Sequence, residues 1–151
     1  MKKFILTLLL TFSFNCFADD LTAELRLINS NLFLCYSQLN IIYDGYNKKE
    51  YSDIEKYHKM LSISLNDSER LLKKLVAKET EKPLDNENNQ LWFTRLKEMN
   101  TELKDMNIIL KKYVLLGKQE DRINFSERNK AFIEKFKSVI DAQIEKLKEN
   151  E

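Results

Sequence analysis

The stretch WFTRLKEMNTELKDMNIILKKY, residues 92–113, decides the fold that this sequence predicts. Large apolar side chains recur in it at alternating intervals of four and three residues: Trp92, Leu96, Met99, Leu103, Met106, Leu110 and Tyr113. This spacing puts them on one stripe of an α-helix, as in helices that pack lengthwise against each other. Gly117 follows where a helix C-terminus commonly carries a glycine. The stretch therefore predicts a long helix that ends near Gly117.

Two earlier segments repeat the same spacing. The first runs over residues 21–42, and we expect Asp44–Gly45 to end it because glycine accepts the left-handed conformation of a helix C-terminus. The second runs over residues 54–75. It follows Ser52-Asp53-Ile54-Glu55, a capping-box pattern in which both end residues satisfy backbone donors at a helix start.

A fourth apolar segment runs from about Glu120 to Lys148. Its spacing is less regular, which predicts a bend or a frayed end. The connections are short, even the polar loop at 78–89 that holds the only proline, Pro83. Short connections favour antiparallel neighbours, so we expect residues 19–151 to form an all-α, up-down-up-down four-helix bundle. A longer helical hairpin that dimerises is the alternative.

The composition agrees with a helical domain. Two glycines and one proline among 151 residues are too few for the many turns of an all-β chain, and they exclude a collagen-like chain. An apolar content of 43% with 11% aromatic residues argues against intrinsic disorder.

The first 18 residues resemble an export signal. Lys2 and Lys3 precede an apolar run over residues 4–14, and Cys16-Phe17-Ala18 places small residues before a cut at Asp19. We expect cleavage after Ala18 and delivery to the periplasm or the exterior. A lipoprotein with acylated Cys16 is the alternative, and Asn15 before the cysteine disfavours it.

Cleavage would remove two lysines and change the formal charge from +1 to about −1. A near-neutral chain has no electrostatic drive toward nucleic acid or anionic membrane, and the apolar run is too short for a membrane anchor. Cys35 would be the remaining cysteine, so an intramolecular disulfide is not expected. Its place in the first apolar stripe predicts a buried, unreactive thiol.

Catalytic motifs are missing from the sequence. It contains no Gly-rich phosphate loop, serine elbow or Cys-x-x-Cys, and the carboxylates are scattered among lysines. Its single Glu-x-x-His, Glu55 to His58, lacks the second copy that a di-iron carboxylate centre requires. We therefore expect no enzyme activity, no metal site and no cofactor.

A haem or small-ligand carrier is the alternative function. The chain resembles the cytochrome b562 type of bundle in export, helix order and short connections only. That resemblance implies haem held between a histidine and a methionine on facing helices. The family's histidine lies on the last helix, whereas the only histidine here is His58 on the second. His58 with Met99 or Met106 would be a different arrangement.

Four of the six tyrosines crowd the connection between the first two helices: Tyr43, Tyr46, Tyr51 and Tyr57. Tyrosine is enriched at binding hot spots, so these residues are candidates for contact with a partner. The alternative is that their rings cap the end of the bundle.

Trp92 and Phe93, with Pro83–Leu84 nearby, form a second candidate surface. Adjacent helical residues diverge by about 100°, so one of the two aromatic rings must point away from the apolar stripe. We expect an exported helical protein that binds another protein, as an accessory or chaperone-like factor or as an inhibitor or immunity-type protein, and that is a monomer or a homodimer.

Overall fold

The computed structural model describes residues 20–81, 84 and 87–148, apart from the side chains at 20–22, 51 and 142–148. It has four long helices: α1 (Asp20–Asn47), α2 (Ile54–Glu81), α3 (Glu87–Leu116) and α4 (Gln119–Lys148). A single 3₁₀ turn, Tyr51–Asp53, precedes α2. The expected signal peptide, its cleavage site and Cys16 lie outside the described residues.

Ion pairs between neighbouring helices define their directions. Lys78 near the end of α2 meets Glu24 near the start of α1, with Nζ and Oε1 2.5 Å apart. Lys104 of α3 meets Glu69 of α2 at 2.6 Å, and Arg128 of α4 contacts Glu102 of α3 at 2.9 Å. Consecutive helices therefore run antiparallel, and the predicted up-down-up-down four-helix bundle is confirmed.

The most enclosed helix is α1. Between residues 23 and 46 its exposed positions are Ala23, Arg26 and Asp44. It packs most closely against α2 and α3, whereas α4 lies mainly against α3. A helix covered on most sides needs apolar residues beyond a single stripe, which explains why residues 25–43 contain no acidic side chain.

Aromatic rings span the wider space between α1 and α4. Tyr36 stacks on Phe132 with ring centroids 5.0 Å apart, and Tyr43 stacks on Phe125 at 4.6 Å. Between these layers the Asn129 side-chain amide donates a hydrogen bond of 2.8 Å to Asn40 Oδ1. Large rings thus fill the space that smaller side chains would leave open.

The predicted apolar stripes form the core. Within the described side chains, the stripe residues of α1 are 0% exposed, and those of α3 from Leu96 to Leu110 are at most 1% exposed. The exception is Trp92, which is partly buried, while its neighbour Phe93 is 1% exposed. The first turn of α3 therefore points Phe93, not Trp92, into the core.

The end of α1 differs from the prediction. The helix does not stop at Asp44–Gly45 but continues to Asn47, and the left-handed residue of the turn is Lys49, with φ 60°. A Cβ on Gly45 would lie 3.4 Å from the Glu50 carbonyl oxygen and 3.6 Å from Ile54 Cγ1. Both are ordinary contact distances, so neither a left-handed conformation nor a close approach requires a glycine at this position.

The predicted end of α3 and the predicted bend of α4 agree with the structure. Gly117 has φ 62°, and its N–H donates a hydrogen bond of 2.8 Å to the Tyr113 carbonyl, so it ends α3 as expected. In α4 the backbone leaves helical geometry at Phe136 (φ −110°, ψ 16°), which confirms the expected bend. No helix among the described residues combines the length and apolar character that a membrane span requires.

Candidate functional site

The tyrosines near the end of α1 form part of a packed aromatic cap. We use this term for Tyr43, Tyr46, Tyr113 and Phe125. The Tyr46 ring meets Tyr113 edge-on at 4.8 Å, and Tyr43 tilts against Tyr113 at 6.0 Å while stacking on Phe125. The Tyr113 hydroxyl donates a 2.7 Å hydrogen bond to Asn47 Oδ1. These contacts join the ends of α1 and α3 to the start of α4.

The cap changes the interpretation of the tyrosine candidates. Tyr43, Tyr46 and Tyr57 are partly buried and pack against the core. The rings of Tyr43 and Tyr46 therefore lie in a cap of the kind that we gave as the alternative. The side chain of Tyr51 lies outside the described residues.

The second predicted surface is also largely internal. Phe93 is 1% exposed, so its ring is not available to a partner in this fold. Lys97 Nζ lies 4.4 Å from the centroid of that ring. Leu84 is 2% exposed, and its carbonyl accepts a 3.0 Å hydrogen bond from Gln90 Nε2. Trp92 is partly exposed at its side of α3, whereas Pro83 lies outside the described residues.

Among the described side chains, the two most exposed large apolar residues are Leu115 and Leu116, at the end of α3. Leu115 is 80% exposed and Leu116 is 60% exposed. Ile108, two helical turns earlier on the same side of α3 as Leu115, is 55% exposed, and Ile123 of α4 is 49% exposed. We call these four residues the tip surface. Neighbouring exposed leucines, such as Leu115 and Leu116, are typical of an interaction site.

Lysines accompany the tip surface. Lys111 and Lys112 lie between Ile108 and Leu115 on α3, and Lys118 follows the turn. None of the three forms an ion pair within the described part of the chain, in contrast to the paired lysines 73, 78, 104 and 135. No acidic residue occurs between Asp105 and Glu120. The α3 part of the tip surface is therefore apolar with a basic margin.

The aromatic cap holds this surface in place. Tyr113, which is 7% exposed, lies one turn or less from Leu115 and Leu116 and fixes the end of α3 through Asn47 and Tyr46. The Tyr46 hydroxyl lies 3.6 Å from the position that a Cβ would take on Gly117. A fixed backbone lowers the entropy that the exposed leucines lose when a partner binds.

The residues considered for haem lie in different environments. Met99 and Met106 are at most 1% exposed in the core. His58 is partly buried, and its pKa is lowered by burial and then by the nearby Lys111 ammonium group. A groove between α2 and α3 is lined by none of these three residues.

The thiol of Cys35 is fully buried at 0% exposure, and burial raises its pKa to about 12. It is therefore protonated and inaccessible at neutral pH, as expected for a core cysteine. Among the residues that the structure describes, no group of three or more His, Cys, Asp or Glu side chains is arranged to hold a metal ion.

Comparison of the chain with protein-family models, curated proteins and solved structures found no match.

Proposed function

We propose that this chain is an exported helical protein that binds another protein through its tip surface. The observation that carries the proposal is the exposure of Leu115 and Leu116, 80% and 60%, at the end of α3 that the aromatic cap joins to α1. Exposed leucines gain free energy when a partner removes them from water, by roughly 25 cal/mol per Å². Export rests on the signal-like sequence of residues 1–18.

The basic margin indicates the kind of partner surface. Lys111, Lys112 and Lys118 pair with no carboxylate among the described residues, and this favours a partner with acidic groups around an apolar centre. Such charges mainly raise the association rate and select the partner, whereas the leucines contribute most of the affinity.

A pair of matched variants tests the proposal. Leu116→Ser alters the tip surface, and Leu91→Ser alters a leucine of similar exposure, 54%, at the other end of α3. Both should retain the thermal stability of the parent within about 0.5 kcal/mol, because both residues are exposed. We expect a photo-reactive residue at position 115 to form one discrete adduct in the native host, and Leu116→Ser to abolish it. Leu91→Ser should leave it intact.

Three results would contradict the proposal. If Leu116→Ser does not reduce adduct formation, the tip surface is not the binding site. Loss of the adduct with Leu91→Ser would point to the opposite end, near Trp92. An adduct that contains only two copies of this chain would show that the surface mediates self-association and not binding of another protein.

A further inference from the structure

The outer side of α3 carries exposed residues at intervals of seven. Thr101, Ile108 and Leu115 are all exposed, the last two by 55% and 80%. Seven residues make close to two helical turns, so these three side chains form one row with about 10.5 Å between neighbours. We call them the exposed row. It extends the tip surface from the end of α3 to the middle of the helix.

A row of lysines runs beside the exposed row. Lys97, Lys104 and Lys111 are also seven residues apart, and each precedes a member of the exposed row by four positions. Residues four apart are neighbours on the surface of a helix. The lysine row, as we call these three residues, therefore lines one edge of the exposed row.

Most of the charge of the lysine row is not compensated in the described part of the chain. Lys104 pairs with Glu69 at 2.6 Å, whereas Lys97 and Lys111 form no ion pair among the described residues. Burial, and then the positive charge of Lys111, lower the pKa of His58 on the adjacent α2. A carboxylate supplied by a partner would offset this positive charge.

Two adjacent rows with a seven-residue period fit the surface of another α-helix. Where two helices pack lengthwise, apolar side chains at this period form the contact, and charged side chains along its edge pair with opposite charges on the partner. The lysine row therefore favours acidic residues at the matching edge of a partner helix. A second copy of the chain is a poor occupant, because a symmetric, antiparallel pair of α3 helices would place the two lysine rows opposite each other.

We propose that the partner of the tip surface contacts it with an acidic amphipathic α-helix that lies along the outer side of α3. Apolar side chains of that helix contact Ile108 and Leu115, and its carboxylates pair with Lys97 and Lys111. The exposed row spans about 21 Å, so the contacting part of the partner helix has about four turns. This inference rests on the proposed function, since it names the chemistry of the partner at the same surface.

Two synthetic peptides serve as probes of the helix and its charge. Each is a hydrocarbon-stapled helix of three heptads with one leucine per heptad. The residues beside the leucines are glutamates in one peptide and lysines in the other. Fluorescence anisotropy at low ionic strength would measure their binding to the protein. We expect the glutamate peptide to bind at least about ten-fold more tightly than the lysine peptide.

Charge reversal assigns this preference to the lysine row. Lys111→Glu should weaken binding of the glutamate peptide and strengthen binding of the lysine peptide, because it reverses the charge beside Leu115. Lys74→Glu makes the same change at an exposed lysine of α2 outside the α2–α3 groove, and it should alter neither affinity by more than about two-fold. Leu115→Ser should weaken both peptides. All three residues are exposed, so the variants should fold.

Cross-linking in the native host tests the helix with the authentic partner. Photo-reactive residues at positions 108 and 115 should reach sites on the partner that are about seven residues apart, because both positions belong to one row. Mass spectrometry of the two adducts maps these sites. Lys111→Glu should reduce both adducts, and Lys74→Glu should reduce neither.

Three results would overturn the inference. Cross-links from positions 108 and 115 to unconnected segments of the partner would show that it presents no helix to α3. Peptide affinities that Lys111→Glu leaves unchanged would exclude the lysine row. Binding to vesicles of anionic phospholipid, with neither peptide bound, would show that the surface contacts a membrane.

Failure of the inference can be told apart from failure of the proposed function. If Leu116→Ser abolishes the adduct from position 115 and Lys111→Glu leaves it intact, the acidic helix is wrong and the tip surface still binds a protein. If position 115 forms no adduct with another protein, the proposed function itself is wrong.

Discussion

Truncation of Tyr43 distinguishes an aromatic cap from a binding surface. Tyr43→Ala removes the ring that stacks on Phe125 at 4.6 Å and tilts against Tyr113 at 6.0 Å. Truncating a buried ring costs about 3–5 kcal/mol, and each aromatic pair contributes about 0.5–1.5 kcal/mol of such a loss. Because Tyr43 is only partly buried, we expect a loss of about 3 kcal/mol, the lower end of this range.

The matched control is Tyr43→Phe, which keeps the ring and removes the hydroxyl. The described contacts include no hydrogen bond from this hydroxyl, so we expect a change within about 0.5 kcal/mol. Urea unfolding followed by far-ultraviolet circular dichroism measures both free energies of unfolding. For a domain of this size, the alanine variant should melt roughly 10 °C lower than the parent.

A double-mutant cycle between Tyr43 and Phe125 isolates their contact. We expect a coupling free energy of about 0.5–1.5 kcal/mol for this stacked pair. If Tyr43→Ala unfolds within about 0.5 kcal/mol of the parent, the cap does not stabilise the bundle. The tyrosines would then again be candidates for direct contact with a partner.

Three further predictions test other parts of the structure. The pKa of Glu69 is lowered from 4.5 to about 2 in the folded protein, so its carboxylate stabilises the fold fully above about pH 4.5 and progressively less as the pH falls toward about 2. The difference in melting temperature between the parent and Glu69→Gln should therefore shrink over that interval, and a constant difference would contradict the prediction. Lys49→Gly should raise the free energy of unfolding by about 1 kcal/mol, because Lys49 holds φ 60°; a loss in urea unfolding would show that its side chain stabilises the turn. Gln38→Met should also stabilise the protein, by about 1–2 kcal/mol, because Gln38 is 1% exposed and neither of its amide atoms has a hydrogen-bond partner among the described residues. A lower melting temperature of the variant would indicate that the Gln38 amide forms hydrogen bonds in solution.

The helices and their core stripes could be predicted because both follow from local spacing. Four–three intervals of apolar residues suffice to place Leu96, Leu103 and Leu110 on one side of α3, whatever its neighbours are. The choice between Trp92 and Phe93 depends on which helix lies beside the first turn of α3. That is tertiary information, and interval counting does not contain it.

The role of Gly45 could not be predicted for a related reason. A glycine near a helix end is typical of a left-handed C-terminus, so the sequence favoured a stop there. In the fold, Glu50 N–H donates a 2.8 Å hydrogen bond to the Gly45 carbonyl as the chain crosses α1. Ile54, nine residues later, lies beside Gly45, with its Cγ1 atom 3.6 Å from the position that a Cβ would take, and no local pattern reveals that approach.

The tip surface was missed although the sequence holds a signal for it. Residues 108–110 and 114–116 are two runs of three large apolar side chains on α3. Only Leu110 of these six residues belongs to the apolar stripe. Because adjacent helical residues diverge by about 100°, most of these side chains must lie outside the stripe. Their position at one end of the bundle, beside the turn to α4, follows only from the fold.

The tip surface and the aromatic cap share one short segment of α3, but the side chains that form them point in different directions. Tyr113 and Leu115 are two residues apart, so their side chains leave the helix about 200° apart. Tyr113 is 7% exposed in the cap, whereas Leu115 is 80% exposed. Leu115→Ser should therefore reduce binding of a partner without changing the melting temperature. Tyr43→Ala should lower the melting temperature while the protein that remains folded still binds. If both variants changed both properties together, the leucines would belong to the structural cap and the tip surface would not be a separate binding site.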